Sequence, residues 1–138
     1  MAKYLLIVDY NGGAVDTPME QWTPEDIRAH MDYYGALRQE LLDSGELVDQ
    51  HALTGPEHAK MVTSDGVGAP VVTDGPFAEF KEMLAGFQLV DVDSQARAIE
   101  IAARISQVPA AGGVAQQQPI WVRRVMDAAD FELLTSEV

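Results

Sequence analysis

Histidine is the side chain best suited to move protons near neutral pH, and this chain has three: His30, His51 and His58. His30 falls at the edge of the apolar stripe of a predicted helix, three residues after Ile27. His51 alternates with Asp49 along a predicted strand, so it is either a solvated strand histidine or one that projects into a cavity. His58 follows Gly-Pro-Glu and is predicted to lie on a loop surface. His30 and His51 are therefore the candidate acids or bases.

Two further side chains follow His30 on the same predicted helix. Tyr34 and Arg38 come one and two turns later, so the three can line a common edge. This spacing places Arg38 near the centre of the apolar stripe, where an unpaired charge is costly. Arg38 then snorkels, pairs with an acid such as Glu82 or Asp91, or orients a ligand carboxylate. We hypothesise that Arg38 marks a cavity for a small organic acid and that Tyr34 serves as a hydrogen-bond donor or weak acid.

A turn signal with charged and aromatic neighbours follows later in the chain. Asp74-Gly75-Pro76 combines a carboxylate that can accept from nearby backbone with a permissive glycine and a fixed proline. Phe77 and Lys81 come directly after it. In one interpretation Asp74 holds the turn, Phe77 fills the core and Lys81 pairs with a carboxylate. In the other, these residues form the rim of a pocket, because loops held by a sheet often carry ligand-binding groups.

Metal and cofactor motifs are not found. The absence of cysteine excludes disulfides, thiol catalysis and cysteine-based metal sites. His51, His58 and Glu57 could supply ligands but match no recognised metal motif. Gly66-Val67-Gly68 lacks the lysine of a phosphate-binding loop and is predicted to be a turn. The sequence predicts neither a metal nor a cofactor.

Composition limits the possible partners. The chain has 138 residues and a formal charge of −13, which repels phosphate backbones and anionic lipids. Nucleic-acid and membrane roles are therefore not expected. The N-terminal apolar run at residues 4–8 is too short for a signal peptide or a membrane span. A cytoplasmic location is the expectation.

Hydrophobic patterns and turn signals predict six strands and two helices. Thr23 is an N-cap candidate for the first helix, which ends at Ser44-Gly45, and Ser94 is a cap candidate for the second. Residues 11–22 form a long loop that could act as a lid. The predicted strands cover residues 3–9, 47–53, 60–63, 70–73, 84–92 and 120–125.

This order of elements is typical of a ferredoxin-like α+β sandwich, with an antiparallel sheet and two helices on one face. Residues 4–8 and 87–92 point apolar side chains to both sides of the sheet, so a second layer is needed. A second copy of the chain supplies that layer most simply, which predicts a homodimer. Residues 1–126 form the predicted domain, and residues 127–138 form a tail that docks on a partner or stays mobile.

The turn segment resembles a known family. Its Asp74-Gly75-Pro76-Phe77 core is similar to the DGPF signature of the YCII-related proteins, and the match continues through Glu79, Lys81, Glu82, Gly86 and the strand end Val90-Asp91-Val92-Asp93. The resemblance implies a dimer in which two sheets form an α/β barrel. It also implies, for some YCII-like enzymes, a proton-transfer pair of a histidine in the first helix and an aspartate near its end. Asp43 fits that aspartate, but Tyr34 stands at the histidine's position and His30 lies one turn earlier.

Several functions remain open at this level. The first is a small-molecule-binding or accessory domain with a cavity at the dimer-facing side of the sheet. The alternative is a YCII-type enzyme that performs lyase-like acid–base chemistry on a small organic acid, using His30 or His51 with Asp74 and Tyr34. A third candidate function is another activity of dimeric barrels, such as cofactor-free oxygenation or haem-linked chemistry.

Overall fold

The computed structural model describes residues 1–9, 13–74 and 84–136. Within these ranges the chain forms six strands and three α-helices. The helices are α1 (Pro24–Asp43), α2 (Gln95–Ser106) and α3 (Ala128–Thr135). The strands are β1 (Ala2–Asp9), β2 (Leu47–Ala52), β3 (Lys60–Thr63), β4 (Val71–Asp74), β5 (Leu84–Val92) and β6 (Ile120–Arg124).

Four strands form one antiparallel sheet in the order β2-β5-β1-β6. The strands β3 and β4 form a separate antiparallel hairpin. In the turn between them, the Asp65 carboxylate accepts hydrogen bonds from the backbone N–H groups of Val67 and Gly68. The α+β class and the antiparallel sheet are confirmed, and the strand order is compatible with the predicted ferredoxin-like sandwich.

One face of the sheet carries the hydrophobic core. Alternate residues of the central strands, including Leu6 and Val90, are fully buried against both α1 and α2. Leu41 contributes from α1, and the narrow face of α2 contributes Ile101 and Ile105. Close packing of small residues such as the alanines of α2 brings that helix near the sheet.

The other face of the sheet has no such cover from α1 or α2. Its side chains are the alternate residues of the same strands, and they do not belong to the core that the two helices bury. We call this side of the sheet the open face; its apolar side chains are Leu5 and Ile7 of β1, Phe87 and Leu89 of β5, and Trp121 of β6. The first four are half-buried, whereas Trp121 is 52% exposed.

Both main helices begin where the sequence predicts, and α1 also ends there. Thr23 and Asp26 form a capping box in which each side chain accepts from the other's backbone N–H. Gly45 follows the end of α1 with a φ of 78°, a conformation that favours glycine. Ser94 caps α2 by accepting from the backbone N–H of Arg97. These local signals are sufficient to fix the limits of α1 and the start of α2.

The predicted apolar stripe of α1 is wrong at several positions. Arg38 is exposed, although its spacing predicted a place near the centre of the stripe, and Met31, four residues after Ile27, is 62% exposed. The stripe is confirmed at Leu37 and Leu41, which are buried, and at Tyr34, which is half-buried. Arg38 lies about 100° around the helix from Leu37, because a helix has 3.6 residues per turn. That rotation directs its side chain to solvent rather than into the core.

The segment after β6, which the sequence predicts to be a tail, contains the helix α3. Asp127 and Asp130 form a capping box that starts α3. Asp130 also accepts two hydrogen bonds of 2.7 Å from the guanidinium of Arg124, which joins α3 to β6. Phe131 and Leu133 on α3 are 55% and 76% exposed. None of the helices in the described ranges is long and apolar enough to cross a membrane.

Candidate functional site

A cavity of about 760 Å³ lies at the end of the sheet where β1 ends and β5 begins. Its walls come from α1, the strand ends of β1, β2 and β5, the segment 13–22 and residues near 108–118. Side chains from both faces of the sheet border it. The cavity therefore lies at the rim of the open face rather than on that face alone, which differs from the expected position.

His30 is held in one orientation at this cavity. Its Nδ1 atom lies 2.8 Å from the backbone oxygen of Pro109, which can only accept a hydrogen bond. In the neutral ring, Nδ1 therefore carries the proton and Nε2 is left as an acceptor. The His30 ring also meets Trp22 and Tyr34 edge to face, with ring centroids 5.2 and 5.1 Å away. These contacts fix both the tautomer and the direction of the imidazole.

Tyr34 lies next to His30 in the cavity wall. Burial raises the pKa of Tyr34 to about 12, and the neighbouring Tyr33 adds a smaller electrostatic contribution. The phenol therefore stays protonated near neutral pH and can donate a hydrogen bond. It is not suited to act as a base there.

A glutamine pair forms the polar part of the cavity floor. Gln50 of β2 and Gln88 of β5 are opposite each other in the sheet and both border the cavity. Gln88 is only 5% exposed, and its Oε1 atom is shielded from water without a hydrogen-bond partner among the described residues. An unpaired buried carbonyl costs about 1–3 kcal/mol of folding free energy.

The segment 13–22 forms one wall of the cavity and is hydrogen-bonded to Gln116. The backbone N–H of Ala14 donates to Gln116 O at 2.8 Å, and the Gln116 amide donates to Val15 O at 2.8 Å. Gly13 has a φ of 97°, and a Cβ atom there would lie 2.6 Å from the Gln116 side chain. The indole of Trp22 donates to Thr17 O at 2.9 Å, which closes the segment on itself. The described part of the predicted lid thus lines the cavity.

His51 borders the cavity from the open face. Its Nε2 atom lies 2.9 Å from Asp49 Oδ1, and its ring meets Phe87 edge to face with centroids 5.8 Å apart. The side chain is 61% exposed. The structure thus brings His30, Tyr34 and His51 to one cavity, with the two histidines on different faces of the sheet.

The other predicted site residues lie elsewhere. Arg38 is exposed on α1 and does not border the cavity. Asp74 is exposed at the end of β4, where it pairs with Lys60, and it does not border the cavity either. Phe77 and Lys81 fall outside the described residues, as does most of the DGPF core.

The remaining histidine and the aspartate at the end of α1 are exposed. His58 lies 3.5 Å from Glu57 on the surface. Asp43 accepts a hydrogen bond from Gln39 of the same helix and does not approach His30 among the described contacts. The implied histidine–aspartate pair of α1 is therefore not assembled here from Asp43. Across residues 1–9, 13–74 and 84–136, no three metal-ligating side chains come together.

Sequence reasoning missed Trp22, Gln50, Gln88 and Gln116 as parts of this site. One signal was present for Gln88, because it is a polar residue within the apolar run Gly86 to Val90. In a strand whose alternate residues are buried, such a residue needs a partner. Trp22 gave no signal because it lies in a loop without hydrophobic periodicity, and Gln116 gave none because its partner Val15 is 101 residues away.

Fold and site together define a small α+β protein with a ligand-sized cavity lined by histidine, tyrosine and glutamine. The family model of the YCII-related domain matches residues 2–123. The chain therefore belongs to the YCII-related family. It is also 29% identical over 114 residues to an uncharacterized protein of Rhizobium meliloti (strain 1021), a match that covers 83% of this chain and 89% of that relative. The helix α3 lies beyond the family match.

Proposed function

We propose that this protein binds a small organic molecule in the cavity between α1, the segment 13–22 and the sheet. The observation that carries the proposal is that three polar residues, His30, Tyr34 and Gln88, line one cavity of about 760 Å³. Ligand sites typically enclose about 300–1,000 Å³ and combine apolar walls with a few placed polar groups. Trp22 and Phe87 supply the apolar surface.

A second candidate function is acid–base catalysis at the same site, and the orientation of His30 favours it. The hydrogen bond from Nδ1 to Pro109 leaves Nε2 with a lone pair, as a general base requires. Tyr34 stays protonated and can donate to an oxygen on which negative charge develops. Proton abstraction next to a carbonyl, followed by elimination, fits these two roles. The enzyme alternative therefore rests on His30 and Tyr34 rather than on Asp74.

We also propose that the domain is a ferredoxin-like sandwich that pairs through its open face into a dimeric α/β barrel. The apolar character of that face supports this assembly, because Leu5, Ile7 and Leu89 lie outside the core that α1 and α2 bury. The cavity, which reaches this face at His51, would then lie beside the dimer interface.

The proposed binding role predicts that His30→Gln weakens ligand binding by about tenfold, the loss of one good hydrogen bond to the ligand. A library of small acids, amides and amines is screened by thermal shift, and the best ligand is titrated calorimetrically against each variant. His58→Gln is the matched control, because His58 is exposed and lies outside the cavity.

Binding that is equal in His30→Gln, His58→Gln and the unaltered protein would refute a role for this cavity. Conversion of the bound ligand, followed by NMR and lost in His30→Gln while binding persists, would favour the enzyme over the binding domain.

A further inference from the structure

We infer that two copies of the chain pack open face to open face about a two-fold axis parallel to their strands. In this arrangement Arg123 of each copy pairs with Asp49 of the other. Trp121 of each copy likewise lies on His51 of the other. The inference rests on the proposed dimer and specifies its contacts. It also makes the second copy part of the cavity, because His51 borders the cavity at the open face.

The strand register aligns the open-face side chains in rows that run across the sheet. Residues that are opposite each other on neighbouring strands project from the same face. The first row consists of Asp49 on β2, Leu89 on β5, Leu5 on β1 and Arg123 on β6. This row is therefore acidic at one edge of the sheet, apolar at its centre and basic at the other edge.

The second row carries a ring at each edge. It consists of His51 on β2, Phe87 on β5, Ile7 on β1 and Trp121 on β6. The Trp121 side chain is oriented by its Nε1 atom, which donates to Asp9 Oδ2 at 2.8 Å, and the residue is 52% exposed. The His51 side chain is 61% exposed at the opposite edge. Exposed aromatic residues of this kind are typical anchors of protein interfaces.

A two-fold axis parallel to the strands brings the unlike edges together. Placed between β5 and β1, it lays β2 of one copy on β6 of the other and keeps each row at its own level. Packed sheets lie about 10 Å apart with strands within about 30° of each other, so an arginine side chain can reach an aspartate across the gap. The leucines meet between the edges, which gives an isologous interface with an apolar centre and a polar rim.

Charge distinguishes this axis from one that runs across the strands. The second axis would lay β2 on β2 and β6 on β6, which brings acidic edge to acidic edge and basic edge to basic edge. Like charges at an interface are unfavourable, whereas opposite charges steer association. Arg123 is exposed, and no carboxylate among residues 1–9, 13–74 and 84–136 forms a salt bridge with it. It is therefore available to the Asp49 carboxylate of a second copy, whose side chain is 51% exposed.

Charge reversal tests the ion pair. Asp49→Arg and Arg123→Asp each place like charges at both symmetry-related contacts. We expect each variant to raise the dissociation constant of the dimer by about tenfold or more at low ionic strength, and less in added salt. The double variant Asp49→Arg/Arg123→Asp restores opposite charges and should recover most of that loss. Sedimentation velocity over a dilution series measures the dissociation constant.

Asp32→Arg and Arg28→Asp are the matched controls. They make the same changes of charge at exposed positions of α1, which packs on the other face of the sheet. Neither should change the dissociation constant. The controls thus separate the contact between Asp49 and Arg123 from a general effect of net charge.

NMR tests the contact between the two rings. Within one copy β5 and β1 lie between them, so the ring current of Trp121 reaches His51 only across the dimer interface. We expect the His51 ring protons, assigned by their loss in His51→Gln, to change shift when the dimer is diluted to monomer. That change should be absent in Trp121→Leu. The same dilution shift in both proteins would refute the contact.

The outcomes separate the arrangement from the assembly on which it rests. A monomeric unaltered protein would overturn both. A dimer whose dissociation constant responds to neither charge reversal would overturn the arrangement and leave the proposed dimer standing. Weaker dimers in the single variants without recovery in the double variant would refute direct pairing of Asp49 with Arg123.

Discussion

Leu89→Glu is expected to convert the proposed homodimer into a monomer with the same helix content. Leu89 lies on β5 at the centre of the open face, outside the core of α1 and α2. If a second copy covers this face, a carboxylate there is buried without a counter-charge and costs about 3–5 kcal/mol in each subunit. In a free monomer the same side chain points to water and costs little. Sedimentation equilibrium at micromolar concentration measures the mass, and circular dichroism checks the fold.

Val67→Glu is the matched control, because Val67 lies in the turn of the β3-β4 hairpin and is 93% exposed. This variant should keep the mass of the unaltered protein. A monomeric unaltered protein, or a Leu89→Glu variant that remains a dimer, would contradict pairing through the open face. In the second case the exposed apolar surface of α3 is the next interface to test.

Gly86→Ala and Gly35→Ala are expected to change stability in opposite directions. A Cβ atom at Gly86 would lie 2.9 Å from the backbone oxygen of His51 and 3.4 Å from Cα of Ala52. Both neighbours belong to the backbone of β2, which cannot move without disturbing its pairing with β5. We expect the free energy of unfolding to fall by about 1–3 kcal/mol, as for other overpacked sites.

Gly35 is the internal reference for this effect. It lies inside α1, and an added Cβ atom there meets nothing within 4 Å. Alanine should therefore raise the stability of α1 by about 0.5–1 kcal/mol. Urea unfolding at one fixed protein concentration measures both variants, which keeps any contribution from dimerisation comparable. Equal loss of stability in both variants would show that the close approach at Gly86 is not the cause.

Local signals predicted most of the secondary structure. The limits of β5 follow from a run of apolar residues, and the starts of α1 and α2 follow from Thr23 and Ser94. The helix α3 was missed because eight residues give too little periodicity, although Asp127 and Asp130 have the spacing of a capping box. The pair Asp127 and Asp130, three residues apart, could have predicted the start of α3.

The site was harder to predict because it depends on contacts between distant residues. Helical spacing placed His30 and Tyr34 on one face, and their rings do meet. The same arithmetic failed for Arg38, where a single residue separates a buried position from an exposed one. It gave no information on Gln88 or Trp22, whose positions depend on strand register and on a loop path.

The hydrogen bonds that complete the cavity join some of the most distant parts of the chain. His30 to Pro109, Gln116 to Val15 and Gln118 to Asp9 span 79, 101 and 109 residues. Contacts at such separation close long loops and form late in folding, because the loop entropy is lost before the contact stabilises anything. During synthesis, a chain that has reached only α2 has most of its core residues but an incomplete cavity, since His30 lacks its hydrogen bond to Pro109 and the wall at residues 13–22 lacks its bonds to Gln116. On the proposed function, competence to bind thus arises late in folding, and ligand binding would report that the chain has closed.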